Sequence, residues 1–175
     1  MKITAQEEYG LRCLLQLAGA EEPSLSISEI ASKEGLSQPY VAKLLAVLRN
    51  GGFIDSVRGR AGGYKLARRA SEIHLGELLE TLGEPLFEEP AYCDKHSGTE
   101  TNGSCVHLGN CSLRALWQTL ETWMRTTLDR ITLADLVRSE THITELLRQR
   151  LSEAVQETPE PERITLGAVQ RSAAN

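Results

Sequence analysis

The chain has 175 residues, 41% of them hydrophobic, and a formal net charge of −5 at pH 7. That length suits one compact domain with appendages, and no stretch approaches the roughly 20 consecutive apolar residues that a membrane span requires. The net charge argues against a polyanionic ligand, but its distribution does not. Residues 1–70 carry ten Lys or Arg against seven Asp or Glu, residues 71–175 carry nine against seventeen, and residues 33–70 alone carry eight against two. A positive N-terminal half beside an acidic remainder is expected where one face meets phosphate and the other has a separate task.

Met1–Glu8 is acidic within its first turn and lacks the apolar core and small-residue cleavage site of a secretory signal, so a cytoplasmic protein is expected. Leu11, Leu14, Leu15 and Ala18 repeat at helical spacing and predict a first helix ending near Gly19, ahead of Pro23. Cys13 sits among these leucines, where a free cysteine acts as a small buried hydrophobe rather than a ligand. Ser26-Ile27-Ser28-Glu29 reads as a capping box that starts a short second helix, and Gly35 can take the left-handed conformation that stops it. Ser37-Gln38-Pro39 can cap a third helix, whose inner stripe is Val41, Leu44, Leu45 and Leu48 and whose end is Gly51-Gly52.

This arrangement leaves Ser37, Gln38, Pro39, Tyr40, Lys43 and Arg49 on or beside the outer surface of a helix of the kind that enters a major groove with its N-terminus leading. Phe53–Val57 and Tyr64–Ala67 are strand-like runs joined by a glycine-rich loop from which Arg58 and Arg60 project on either side of Gly59. Arginine forks onto phosphate or guanine and enters narrow minor grooves, so Arg58, Gly59 and Arg60 form a wing tip suited to duplex DNA. The alternative is a winged helix used for protein contacts, with its arginines solvated. The fold class is mostly α: a winged helix-turn-helix DNA-binding domain with a small two-stranded wing, followed by a long dimerisation helix.

Cys93, Cys105 and Cys111 fall in one polar loop, with eleven and five residues between them. In a reducing compartment such thiols argue for metal or redox chemistry over a disulfide framework. Their spacing is too wide for the paired knuckles of a zinc ribbon, whereas an iron-sulfur cluster accepts irregular loops because it supplies its own scaffold. A metal-free thiol switch and a zinc-stabilised partner-binding module remain the alternatives. No Ser-His-Asp, paired-carboxylate or phosphate-loop constellation is present, and Gly59–Gly63 lacks the strand-to-helix setting of a nucleotide site, so an enzyme is not expected.

From Lys2-Ile3-Thr4, through the wing string Arg58-Gly59-Arg60-Ala61-Gly62-Gly63-Tyr64-Lys65-Leu66-Ala67, the loop cysteines and Ala115-Leu116-Trp117, to Ile131–Leu136, the sequence resembles the IscR/NsrR-type family of bacterial winged-helix regulators that carry an iron-sulfur cluster. The resemblance implies a homodimeric transcription factor on palindromic double-stranded operators, with a 2Fe-2S or 4Fe-4S cluster sensing cluster status, redox state or nitric oxide. It also implies that the helix after Cys111 forms most of the dimer interface, for which Leu113, Leu116, Trp117, Leu120, Trp123, Met124, Leu128 and Ile131 supply an apolar stripe.

Family members resembling IscR have a histidine three residues after the last cysteine, where this chain has Arg114, and a guanidinium cannot ligate metal. In NsrR-like members an acidic residue near the start of the first helix matches Glu8, which in a dimer could reach the cluster of the other subunit. Glu8 is therefore the first choice for a fourth ligand beside Cys93, Cys105 and Cys111, with His107 and His96 as rivals. A carboxylate there also complements the helix dipole without any metal. The expected organisation is a DNA-binding domain over 1–84, a cysteine loop over 85–112, a dimerisation region over 113–137, an amphipathic helix over 138–156 carrying Ile143, Leu146, Leu147, Leu151 and Val155, and a flexible tail over 157–175.

Overall fold

The computed structural model describes residues 3–59, 62–84, 87, 91–96, 105, 107 and 109–156. Arg60 and the 157–175 tail, both named above, lie outside the described residues, as does most of the cysteine loop. The first helix, α1 (Ala5–Ala18), starts at a capping box in which Thr4 Oγ1 accepts from the Glu7 N–H and the Glu7 carboxylate accepts from the Thr4 N–H at 2.7 Å. This Thr-x-x-Glu signal was readable from sequence and was passed over. The helix ends at Gly19, as expected.

The buried stripe of α1 is not the one that leucine spacing predicted. Gly10, Cys13, Leu14 and Leu17 are buried, whereas Leu11, Leu15 and Ala18 are only partly so. The reason is that α1 packs on five elements at once, namely α2, α3, α4, α7 and β2. A Cβ at position 10 would overlap the side chain of Leu82, so glycine permits the close approach of α4.

Helix α2 (Ile27–Glu34) has the predicted Ser26–Glu29 capping box and ends at Gly35 with φ 66°, in the left-handed region. Helix α3 (Gln38–Asn50) buries Val41, Leu44, Leu45 and Leu48 completely. Each such side chain contributes about 1.5–3 kcal/mol by leaving water. Strands β1 (Ile54–Val57) and β2 (Gly63–Leu66) pair antiparallel with Ile54 opposite Leu66 and Val57 opposite Gly63. Leu25 adds a backbone bridge to Tyr64, at 2.9 and 2.8 Å, which holds the wing against the start of α2.

A short 3-10 turn (Ala70–Glu72) leads into α4 (Leu75–Leu82), whose N-cap position is His74. Helix α5 (Ala91–Lys95) lies in the cysteine segment, and α6 (Ser112–Leu128) follows it. After α6 the chain returns to the first core. His74 bridges Thr132, Leu75 N–H donates to Ile131 at 2.9 Å, and Leu133 N–H donates to Ile73 at 2.8 Å. Ile131 and Leu133 are consequently buried beside Ile73 and Leu78, and α7 (Leu133–Arg138) packs on α1.

This return corrects the predicted apolar stripe of α6. Ile131 lies beyond the helix in the core, and Trp117, Met124 and Leu128 are half-buried. Only Leu113, Leu116, Leu120 and Trp123 are exposed. Helix α8 (Glu140–Gln156) lies where an amphipathic helix was expected, with Ile143 and Leu146 against the core of its own chain. The side chains of Leu151 and Val155 are outside the described set.

Cys13, fully buried in α1, has its thiol pushed up to about 11, first by burial and then by the nearby Glu34 carboxylate. A folded pKa above the unfolded one near 9.0 contributes stability that is complete below pH 9 and lost as pH rises through 11. At pH 8 its thiolate fraction is about 100-fold below that of an ordinary thiol. Iodoacetamide at pH 8 is therefore expected to leave Cys13 unlabelled until denaturant is added. Native-state labelling at the rate of a small-molecule thiol would contradict this packing.

Candidate nucleic-acid interface and metal centre

The reading surface is built around the N-terminus of α3. Ser37 occupies the N-cap position in extended conformation but makes no side-chain capping hydrogen bond, which corrects its expected capping role. Pro39 in the first turn has no N–H to satisfy, and no acidic residue lies in that turn. The N-terminus of α3 therefore keeps its positive dipole end and its amides unmatched by side chains, an arrangement favourable to phosphate. Ser37, Gln38, Pro39, Lys43 and Arg49 are exposed.

Tyr40 differs from that group. It is half-buried, with its ring edge-on to Tyr9 of α1 at 6.0 Å between centroids and 82° between planes. Tyr9 in turn lies under the Arg12 guanidinium at 5.4 Å, and Arg12 Nε donates to Glu34 at 2.5 Å while Gln16 donates to the other oxygen of the same carboxylate at 2.5 Å. A ring of contacts thus joins α1 to the end of α2 and the start of α3, enclosing the helix-turn-helix corner. Sequence reasoning missed it, because neither tyrosine nor Glu34 carries a short-range signal for these partners.

On the wing, Arg58 is exposed and Gly59 adopts φ 122°, a conformation that favours glycine and turns the chain at the tip. Arg68, beyond β2, does not join this surface. It stacks on Phe53 at 5.3 Å and pairs with Glu77 at 2.8 Å.

The cysteine segment spans one end of an antiparallel pair formed by α4 and α6. Gly76 at the start of α4 lies against Asp129 just past α6, and Glu80 pairs with Arg125 one turn back. Cys93, Cys105 and Cys111 are all unoxidised and partly exposed. Cys111 is the N-cap residue of α6, where its sulfur accepts the Arg114 N–H at 3.4 Å. Cys93 is carried on α5 beside an aromatic stack in which Phe87, buried, meets Tyr92 at 5.0 Å and Tyr92 meets His96 at 4.4 Å.

His96 Nδ1 donates to the Tyr92 carbonyl at 2.7 Å, and the His107 carbonyl accepts from Asn110 N–H in an exposed turn. Glu8 is exposed on the first turn of α1. Among the described residues no three His, Cys, Asp or Glu side chains converge on one point. The donor set nevertheless has the chemistry of a thiolate centre: three accessible reduced sulfurs, one already accepting a backbone N–H, as cluster sulfurs do. Among the described residues no helix is long and apolar enough to cross a membrane.

The Rrf2 family profile, described as that of an iron-dependent transcriptional regulator, matches residues 3–139. Protein rrf2 of Nitratidesulfovibrio vulgaris is 40% identical over 140 residues, which cover 79% of this chain and 88% of that protein. The HTH-type transcriptional regulator NsrR of Geobacillus kaustophilus is 36% identical over 152 residues, covering 86% and 99%. Among solved structures, CymR, the global cysteine regulator of B. subtilis, superposes with a TM-score of 0.58 at 30% identity, covering 78% of this chain and 96% of CymR. The family resemblance and the winged-helix fold read from the sequence are thereby borne out, and the chain belongs to the Rrf2 family of transcriptional regulators.

Proposed function

We propose that the protein is a homodimeric, cytoplasmic DNA-binding regulator whose affinity for a palindromic operator is set by an iron-sulfur cluster. Cys93, Cys105 and Cys111 hold the cluster, and Glu8 of the partner subunit is the fourth ligand. The observation that carries this reading is the pairing, within one chain of the Rrf2 family, of an unobstructed α3 N-terminus with three reduced, accessible cysteines between α4 and α6.

When bound, such a cluster supplies a reversible change in charge and in cross-linking at the loop. The protein's own part is to convert that change into movement of a DNA reader. Glu8 precedes Tyr9, whose ring meets Tyr40 on α3, so a pull on the start of α1 reaches the first turn of the reading helix. Gln6 Nε2 also donates to the Leu82 carbonyl at 2.6 Å, tying the same turn of α1 to the point where the cysteine segment leaves α4. Dimerisation uses the exposed Leu113, Leu116, Leu120 and Trp123 of α6, which together form an apolar face without cover in the single chain. Ser37, Gln38, Pro39, Lys43 and Arg49 contact the major groove and its phosphates, while Arg58, Gly59 and Arg60 lie along the adjacent backbone or minor groove. Tyr40 supports this surface from its seat on Tyr9 and reaches DNA only with its exposed edge. A cluster-free thiol regulator is the second reading, favoured by the fold match to a cysteine regulator and by the scattered placement of the thiols.

Protein prepared without oxygen is expected to be brown and to contain iron and acid-labile sulfide. Glu8→Ala is expected to change its visible spectrum and to shorten cluster lifetime in air several-fold. Colourless protein even after reconstitution would leave the second reading, and an unchanged spectrum and lifetime in Glu8→Ala would remove that residue from the site. For the DNA surface, Arg58→Ala should weaken binding and reduce the slope of log affinity against log salt by about 0.9, the value for one lost phosphate contact. An unaltered slope and affinity would place Arg58 off the duplex.

A further inference from the structure

Glu121 is buried, 7% exposed, in the middle of α6, and the proposed function does not use it. Its carboxylate accepts from Arg125 Nη2 at 2.9 Å, one helical turn on, while Nη1 of the same guanidinium pairs with Glu80 of α4. One guanidinium therefore holds two carboxylates from two helices. One turn further along, Asp129 lies against Gly76, where any side chain would meet its carboxylate. These contacts fix α6 antiparallel to α4, and they also fix its rotation about its own axis.

Rotation matters because α6 has two working faces. Trp117, Glu121, Arg125 and Leu128 face the chain's own domain, half-buried or buried. Leu113, Leu116, Leu120 and Trp123 form the exposed face roughly a third of a turn away. Apolar helix contacts scatter by about 15–20° around their preferred packing, because leucine and methionine side chains can repack. A desolvated carboxylate does not share that tolerance, since rolling away from Arg125 leaves Glu121 buried without its charge partner.

We infer that Arg125 is a positioning residue for half-site spacing. The Glu80–Arg125–Glu121 clasp sets the roll of α6, hence the direction in which its apolar face meets a second copy, hence the separation of the two reading heads. The inference rests on the dimer reading above. With the head about 15 Å from the helix axis, the radius of a small domain, a roll of about 15° displaces α3 by roughly 4 Å. That exceeds one base-pair step of roughly 3.4 Å, and two heads on one face of DNA must stay about 34 Å apart.

The probe is a duplex selected by the unsubstituted protein from a random library, together with versions carrying one base pair more or fewer at its centre and a version with a single half-site. The test variant is Arg125→Met with Glu121→Leu, which removes the buried charge along with its partner. It is expected to sediment as a dimer and to bind the single half-site as the unsubstituted protein does. Its preference for the selected spacing over the altered ones should fall from about tenfold or more to about twofold. Arg125→Lys keeps the charge but cannot fork between two carboxylates, and should give an intermediate preference.

Full spacing preference in a dimeric double variant would overturn the inference. If that variant fails to fold, undiminished preference in Arg125→Lys does the same. An unsubstituted protein that sediments as a monomer on DNA would instead overturn the dimer reading, and this inference with it.

Discussion

Burial of α1 is the constraint on which the rest of the structure depends. Cys13 and Leu14 are fully buried, Leu17 nearly so, and Gly10 admits Leu82 into direct contact with the helix backbone. One rigid rod therefore touches α2, α3, α4, α7 and the wing. Its first turn carries Glu8 and Tyr9, so the residue proposed to ligate a partner's cluster is next in sequence to the residue that supports the reading helix. No long pathway is needed to couple the two. The coupling is a property of one helix that cannot move without disturbing both neighbours.

The second half of the molecule is organised by its return to that core. Backbone bonds between Ile73–Leu75 and Ile131–Leu133 pin the start of α4 to the segment after α6, and ion pairs hold the two helices antiparallel. The cysteine segment leaves from the end of α4 and re-enters at Cys111, the N-cap residue of α6. A change in how three sulfurs are held there acts on a helix that is anchored at its far end. It also acts on a helix whose exposed apolar face is the proposed dimer contact.

Where short-range chemistry decides the structure, the sequence was legible. The Ser26–Glu29 box, Gly35 at φ 66°, the Val41/Leu44/Leu45/Leu48 stripe and the pairing of the two wing strands all follow from local rules of capping, glycine conformation and periodicity. Leucine spacing misread α1, because a helix covered on several sides buries glycine and cysteine as readily as leucine. It also misread α6, whose apolar residues serve two surfaces, and Ile131, which belongs to neither. Tyr9 on Tyr40 and Arg125 between Glu80 and Glu121 join residues distant in sequence, and a single chain offers no pattern that pairs them. In the candidate site the cysteines announced themselves by type and spacing. The fourth ligand did not, because a carboxylate at a helix N-terminus has an ordinary electrostatic use there.

The central claim is that occupancy of the thiolate site changes the grip on DNA, and it is tested most directly by one binding isotherm taken twice. The protein, prepared anaerobically, is titrated onto its library-selected duplex at fixed salt, then stripped of iron and sulfide and titrated again on the same duplex. The account predicts affinities that differ by about tenfold or more, equivalent to about 1.4 kcal/mol of coupling between the two sites. Equal affinities in the two titrations, with both samples folded and dimeric, would contradict it.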